Sequence, residues 1–105
     1  MEPKTRVDRR MEVRNMLLPI CENLYFSPPT GKQLTYPCII YKQEPPSITS
    51  ADNRDYIKKD RYSLTIIDED PDSELVDQIE QLQYCRQDGT STVEGLNHWY
   101  FTLFH

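Results

Sequence analysis

The sequence predicts a small α+β domain, and three observations lead there. Apolar residues recur at helical spacing in two separate segments, one near the N-terminus and one after Asp70. Other runs alternate apolar and polar residues, the pattern of strands with one buried face. The last two of these runs are joined by Glu94-Gly95, a short hairpin turn. At 105 residues the chain, 1–105, is sized for one domain and leaves no room for two.

The first helix is read from Val7, Met11, Leu18 and Cys21, with Met16, Leu17 and Ile20, at a rough spacing of three to four. Its polar face carries Arg6, Asp8, Arg9, Arg10, Glu12 and Arg14. Pro19 lacks a backbone donor and is expected to bend or fray the last turn. Residues 23–27 form a short strand stopped by Pro28-Pro29, and Thr30-Gly31-Lys32 is a turn. Residues 36–43 form a second strand, with Cys38 and Ile40 facing one way and Ile39 and Tyr41 the other. Pro37 fits only near the start of such a strand or on an edge.

Residues 44–57 are the least apolar stretch, with turn signals at Pro45-Pro46 and Asp52-Asn53. A loop this long inside a compact domain is usually functional or disordered. Residues 58–68 are the clearest strand: Tyr62, Leu64 and Ile66 line one face, Arg61, Ser63 and Thr65 the other. Asp70 is then expected to cap the second helix, with Pro71 in its first position and Asp72 and Glu74 complementing the helix dipole. Leu75, Val76, Ile79 and Leu82 form its buried stripe. Residues 84–93 and 97–104 are the last two strands. In the final one Trp99, Phe101 and Leu103 line one face while Tyr100 and Phe104 line the other. A strand apolar on both faces is either covered on both sides or meets another subunit.

Composition points to a thin core. Leu, Ile, Val and Phe total 24 of the 105 residues, just above the level at which disorder becomes the default. A partner or an oligomer contact is a natural source of the missing burial. The net charge of −5 is unevenly spread. Residues 1–16 carry five basic and three acidic groups, whereas residues 68–105 carry only Arg86 against nine acids. A nucleic-acid binder needs a basic stripe for the phosphates, and the C-terminal third is the opposite. An acidic face that meets a basic protein surface fits better, and a solvated face that keeps the protein soluble fits equally well.

Cys21, Cys38 and Cys85 are odd in number and widely spaced, which favours reduced thiols over a disulfide framework or a zinc site. With no apolar run of membrane length and no signal-like N-terminus, the chain is expected to be soluble, intracellular when made and without membrane attachment. Asp68, Asp70 and Asp72 have the spacing of a calcium loop, but Ser73 stands where glycine is needed and Ile79 where the bidentate glutamate is needed. His98 and His105 are the only histidines, and no nucleophile, phosphate-loop or metalloprotease motif occurs. The expectation is a protein that is not an enzyme, with no catalytic residues, no cofactor and no metal.

Several short motifs, taken in order, carry a family resemblance. They are Tyr36-Pro37-Cys38-Ile39-Ile40-Tyr41, Ala51-Asp52-Asn53 with Tyr56, Arg61-Tyr62, Thr65-Ile66-Ile67-Asp68, Asp70-Pro71-Asp72-Ser73 and Leu96-Asn97-His98. Together they resemble the small tail completion or tail terminator proteins of long-tailed bacteriophages, over about Met11 to Phe104. Residues 87–94 depart from the pattern, being richer in Gly, Ser and Thr. The resemblance implies an α+β fold in which two helices pack against a mainly antiparallel sheet of about four to five strands. It also implies a virion protein of the tail or neck, assembled in the host cytoplasm.

Such a protein forms a ring, typically a hexamer, that caps the tail tube and meets the head connector or stopper protein. Its partners are other copies of itself, the tail tube protein and the connector; DNA passes through the ring without sequence-specific contact. Two alternatives are a connector stopper or adaptor, and a small cytoplasmic protein-binding module. The expected subunit or tail interface comprises Arg54, Asp55, Tyr56, Lys58 and Lys59, at the return of the long polar loop, with Tyr100 and Phe104. Arg and Tyr are enriched at interface hot spots.

Overall fold

A computed structural model describes residues 5–29, 31–44 and 60–105. Its elements are α1 (Arg6–Leu17), β1 (Leu24–Phe26), β2 (Cys38–Glu44), β3 (Arg61–Asp68), α2 (Glu74–Glu80), β4 (Cys85–Val93) and β5 (Leu96–Phe104). The five strands form one sheet in the order β1-β2-β3-β5-β4. Only β1 and β2 run parallel; the other three pairings are antiparallel. The fold is α+β, with two helices and a mostly antiparallel sheet among the described residues.

α1 begins where Thr5 can cap it. The Thr5 hydroxyl accepts from the Asp8 amide at 3.1 Å, and the Asp8 carboxylate accepts from the Thr5 amide at 3.0 Å. This reciprocal capping box satisfies two donors that the first turn leaves unpaired. The helix stops at Leu17, two residues before Pro19, as a proline in the last turn requires.

The buried stripe of α1 shares Leu17 and Cys21 with the expected one but takes Val13 in place of Val7 and Met11. Val13 and Leu17 are fully buried, while Val7 is 54% and Met11 is 40% exposed. At 100° per residue the Val7–Met11 and Val13–Leu17 pairs lie roughly 120° apart around the helix. The core takes the one that continues through Ile20 and Cys21 toward β1.

β3 is the centre of the sheet, and Tyr62, Leu64 and Ile66 along its inner face are all fully buried. Register places Leu64 between Tyr41 of β2 and Phe101 of β5, and Ile66 between Ile39 and Trp99. Both helices close over this face, α1 with Val13 and Leu17 and α2 with Ile79. Cys38 and Ile67 are also buried, but on the opposite face of the sheet.

The start of α2 is a second correction. The cap is Ser73, whose hydroxyl accepts from the Leu75 amide at 3.3 Å. Asp68 and Asp70 instead accept from amides two residues on, those of Asp70 and Asp72. They wind the chain through Asx turns before the helix starts, and Pro71 lies in that turn rather than in the helix. Ser73→Ala is therefore expected to cost about 1 kcal/mol of stability, and Asp70→Ala less than about 0.5 kcal/mol. Thermal melts of the two variants compare them directly. A larger loss for Asp70→Ala would return the cap to that residue.

β4 and β5 are joined as the sequence predicts. Glu94 and Gly95 both have positive φ, 51° and 80°, the geometry of a two-residue type I′ hairpin. A bulge interrupts the register of β4 between Gln87 and Gly89.

Candidate assembly surface

The residues that carry the family resemblance are distant in sequence, yet four of their groups meet at one end of the sheet. Cys38, the first residue of β2, lies opposite Ile67 near the end of β3, and Ile67 lies opposite His98 near the start of β5. Beside them Asp68 pairs with Asn97. The Asn97 amide donates to the backbone carbonyls of Asp68 and Glu69 at 3.3 and 3.2 Å, fixing the turn toward α2. The Asp70-Pro71-Asp72-Ser73 turn continues from there.

The opposite end of the sheet is the base of the long loop. The β2–β3 ladder stays in register to its last pair, Glu44 with Arg61, and Glu44 accepts from the Ser63 hydroxyl at 3.2 Å. Asp60 exchanges two backbone hydrogen bonds with His105, both 3.0 Å. Its carboxylate also pairs with Arg9 of α1 at 2.6 Å. Residues 45–59 thus leave and rejoin a clamped base. Arg54, Asp55, Tyr56, Lys58 and Lys59 lie outside the described residues, as does nearly all of the predicted 44–57 loop.

Tyr100 and Phe104 do share the outer face of β5, but they do not make it a bare apolar patch. Tyr100 is 37% exposed and its hydroxyl lies 2.8 Å from that of Ser91. It stands opposite Gly89 in the strand pairing. Thr102, between the two aromatics, donates to Asp88, and His98 stacks 6.3 Å from Tyr100. Phe104 is half-buried and lies opposite Arg61. At the β1 side of the same face, the Tyr25 hydroxyl accepts from the Thr35 amide at 3.1 Å, and the Lys32 ammonium sits 5.3 Å from the Tyr25 ring. The segment joining β1 to β2 therefore packs there, and the β5–β4 half is the open, polar–aromatic half.

On the helical side the two flanks differ in charge. Arg10 of α1 lies 4.7 Å over the ring of Phe26 in β1, and α2 packs against β4. Between α2 and β5 runs a shallow groove of about 230 Å³, lined by Pro71, Asp72, Ser73, Val76, Asp77 and Trp99. Seven carboxylates and no cation lie between Asp68 and Glu80.

Sequence reasoning took Trp99 only as core and Val7 and Met11 only as buried. A helical wheel with two apolar stripes and the unbroken acidic run were the signals that could have marked both places.

The cysteines are unactivated thiols. Burial is the main cause that raises Cys21, and it pushes Cys38 up to about 11. Cys85 also rises to about 11, chiefly through burial and then through Asp88 and Glu80. Among the described residues, no three carboxylate, imidazole or thiol side chains converge as a metal site would need. No helix among them is long and apolar enough to cross a membrane. Comparison with protein families, characterised proteins and solved structures finds no match.

Proposed function

We propose that the protein is a tail-completion component of a long-tailed bacteriophage. In this reading its copies close into a ring that caps the tail tube and forms the tail side of the joint to the head connector. One observation carries the proposal: residues from four of the resembling motifs, spread from Cys38 to His98, are neighbours at one end of the sheet. The α+β frame agrees with the fold that the resemblance implies, and in this reading residues 44–57 serve as an assembly arm through Arg54 and Tyr56, types enriched at interface hot spots. A small core and a half-open sheet suit a subunit that completes its burial in an assembly.

The experiment is light scattering on the purified protein, alone and with tail tubes, followed by replacement of Arg54 and Tyr56 with Ala. The wild type is expected to form a multimer, most simply a hexamer, at high concentration or on the tubes. The double variant is expected to keep its stability within about 1 kcal/mol while leaving tails of irregular length. A strict monomer at millimolar concentration even with tubes present would sink the ring. Uniform, head-joined tails from the double variant would sink the arm.

A further inference from the structure

The sheet carries a basic helix at one edge and an acidic one at the other, and each has something to bury. β1 and β4 are the two edge strands. Over β1 lies α1, whose outward side combines Val7, 54% exposed, and Met11, 40% exposed, with the exposed Arg14. Against β4 lies α2, beside the groove that Val76 and Trp99 line together with the carboxylates of Asp72 and Asp77. Within one subunit these two surfaces sit on opposite flanks and cannot meet. Between two copies placed head to tail they can, and this heterologous arrangement is the kind that closes into rings.

We propose that the outer stripe of α1 docks in the α2–β5 groove of the next copy. Met11 enters beside Trp99, where a flexible thioether fills an irregular apolar gap and favours the edge of an aromatic ring. Arg14 meets Asp72 and Asp77 on the rim. The occupant is a second copy because both halves belong to this chain and their charges are opposite. The acidic groove would repel its own kind, which excludes a symmetric groove-to-groove dimer. This inference rests on the self-association in the proposed function and adds the surfaces that would carry it.

Trp99 is the only tryptophan in the chain, so its fluorescence reports on the groove itself. In the wild type, emission is expected to shift to the blue as concentration rises, in step with the mass from sedimentation, and the transition should move to higher concentration with added salt. Arg14→Glu and Asp77→Arg are each expected to raise the association midpoint tenfold or more with melting temperatures unchanged. An equimolar mixture of the two, or the double variant, should recover most of that loss. Met11→Gln, which keeps all charges, should abolish the blue shift and serves where a charge variant folds poorly.

Multimers that form normally in all of these variants would overturn the surface while leaving self-association intact. Weakening by Asp77→Arg but not by Arg14→Glu would overturn it in favour of a cation from residues 45–59. A wild type that stays monomeric, with or without tail tubes, would overturn both the surface and the ring.

Discussion

Phe101→Ala is expected to lower the stability of the protein by about 3–5 kcal/mol. Phe101 is 1% exposed and lies in register between Leu64 of β3 and Gln87 of β4, on the face that both helices cover. Removing its ring loses the transfer energy of a large apolar group and leaves a cavity that neighbouring strands cannot close. Domains of this size have only about 5–15 kcal/mol in hand, and this one buries few large residues, so the variant should be close to unfolding at room temperature. Ile79→Ala, which empties the one fully buried position of α2, should cost about 2–5 kcal/mol. Glu80→Ala, one residue on and exposed, should cost less than about 0.5 kcal/mol. Urea midpoints at unchanged slope would measure all three. Equal losses at Ile79 and Glu80 would mean that α2 turns a different face to the sheet.

The strands were easier to read than the helix faces, for a physical reason. A period of two leaves little freedom: once Tyr62, Leu64 and Ile66 are apolar and Arg61, Ser63 and Thr65 are not, the first face must be the one turned to the core, and it is, with the other face buried only at Ile67. Residues Glu94 and Gly95 likewise admit few turns, and both adopt positive φ. α1 presents two stripes, and sequence alone does not say which faces the core. That choice is made by contacts far along the chain, such as Arg9 with Asp60 and Arg10 over Phe26.

The start of α2 was misplaced because Asp70 and Ser73 are both good caps. Asp70 is already engaged with the Asp72 amide, which leaves Ser73 for the helix. The parallel pairing of β1 with β2 carried no local signal at all. The assembly surface was legible only as charge, because Trp99 and Asp77 become one groove when α2 lies against the sheet.

Stability is also expected to fall steeply at alkaline pH, and the fold names the groups responsible. Burial pushes the Cys38 thiol from its usual 9.0 up to about 11, and the Tyr62 phenol from 10.0 up to about 12, with nearby Asp60 adding to the latter. Both side chains are fully buried, so the folded state holds protons that the unfolded chain releases. A raised folded pKa contributes stability that is complete below the unfolded value and is lost as pH climbs to the folded one. The loss therefore runs from about pH 9 to 11 for Cys38 and from about pH 10 to 12 for Tyr62. Each is on the order of 2 kcal/mol when complete. Cys85 shifts over the same range as Cys38 but is only half-buried, so solvent screening makes its share smaller.

Urea midpoints between pH 8 and 11.5, with thiols kept reduced, would trace the decline. Cys38→Ala should remove its first part and Tyr62→Phe its second. Tyr62→Phe carries a further expectation, because the Tyr62 hydroxyl is buried with no hydrogen-bond partner among the described residues. Deleting an unsatisfied hydroxyl removes a desolvation penalty, so below pH 9 this variant should match the wild type or exceed it by up to about 1 kcal/mol. If the double variant loses stability with pH as steeply as the wild type, these two buried groups are not what fails when the protein meets alkali.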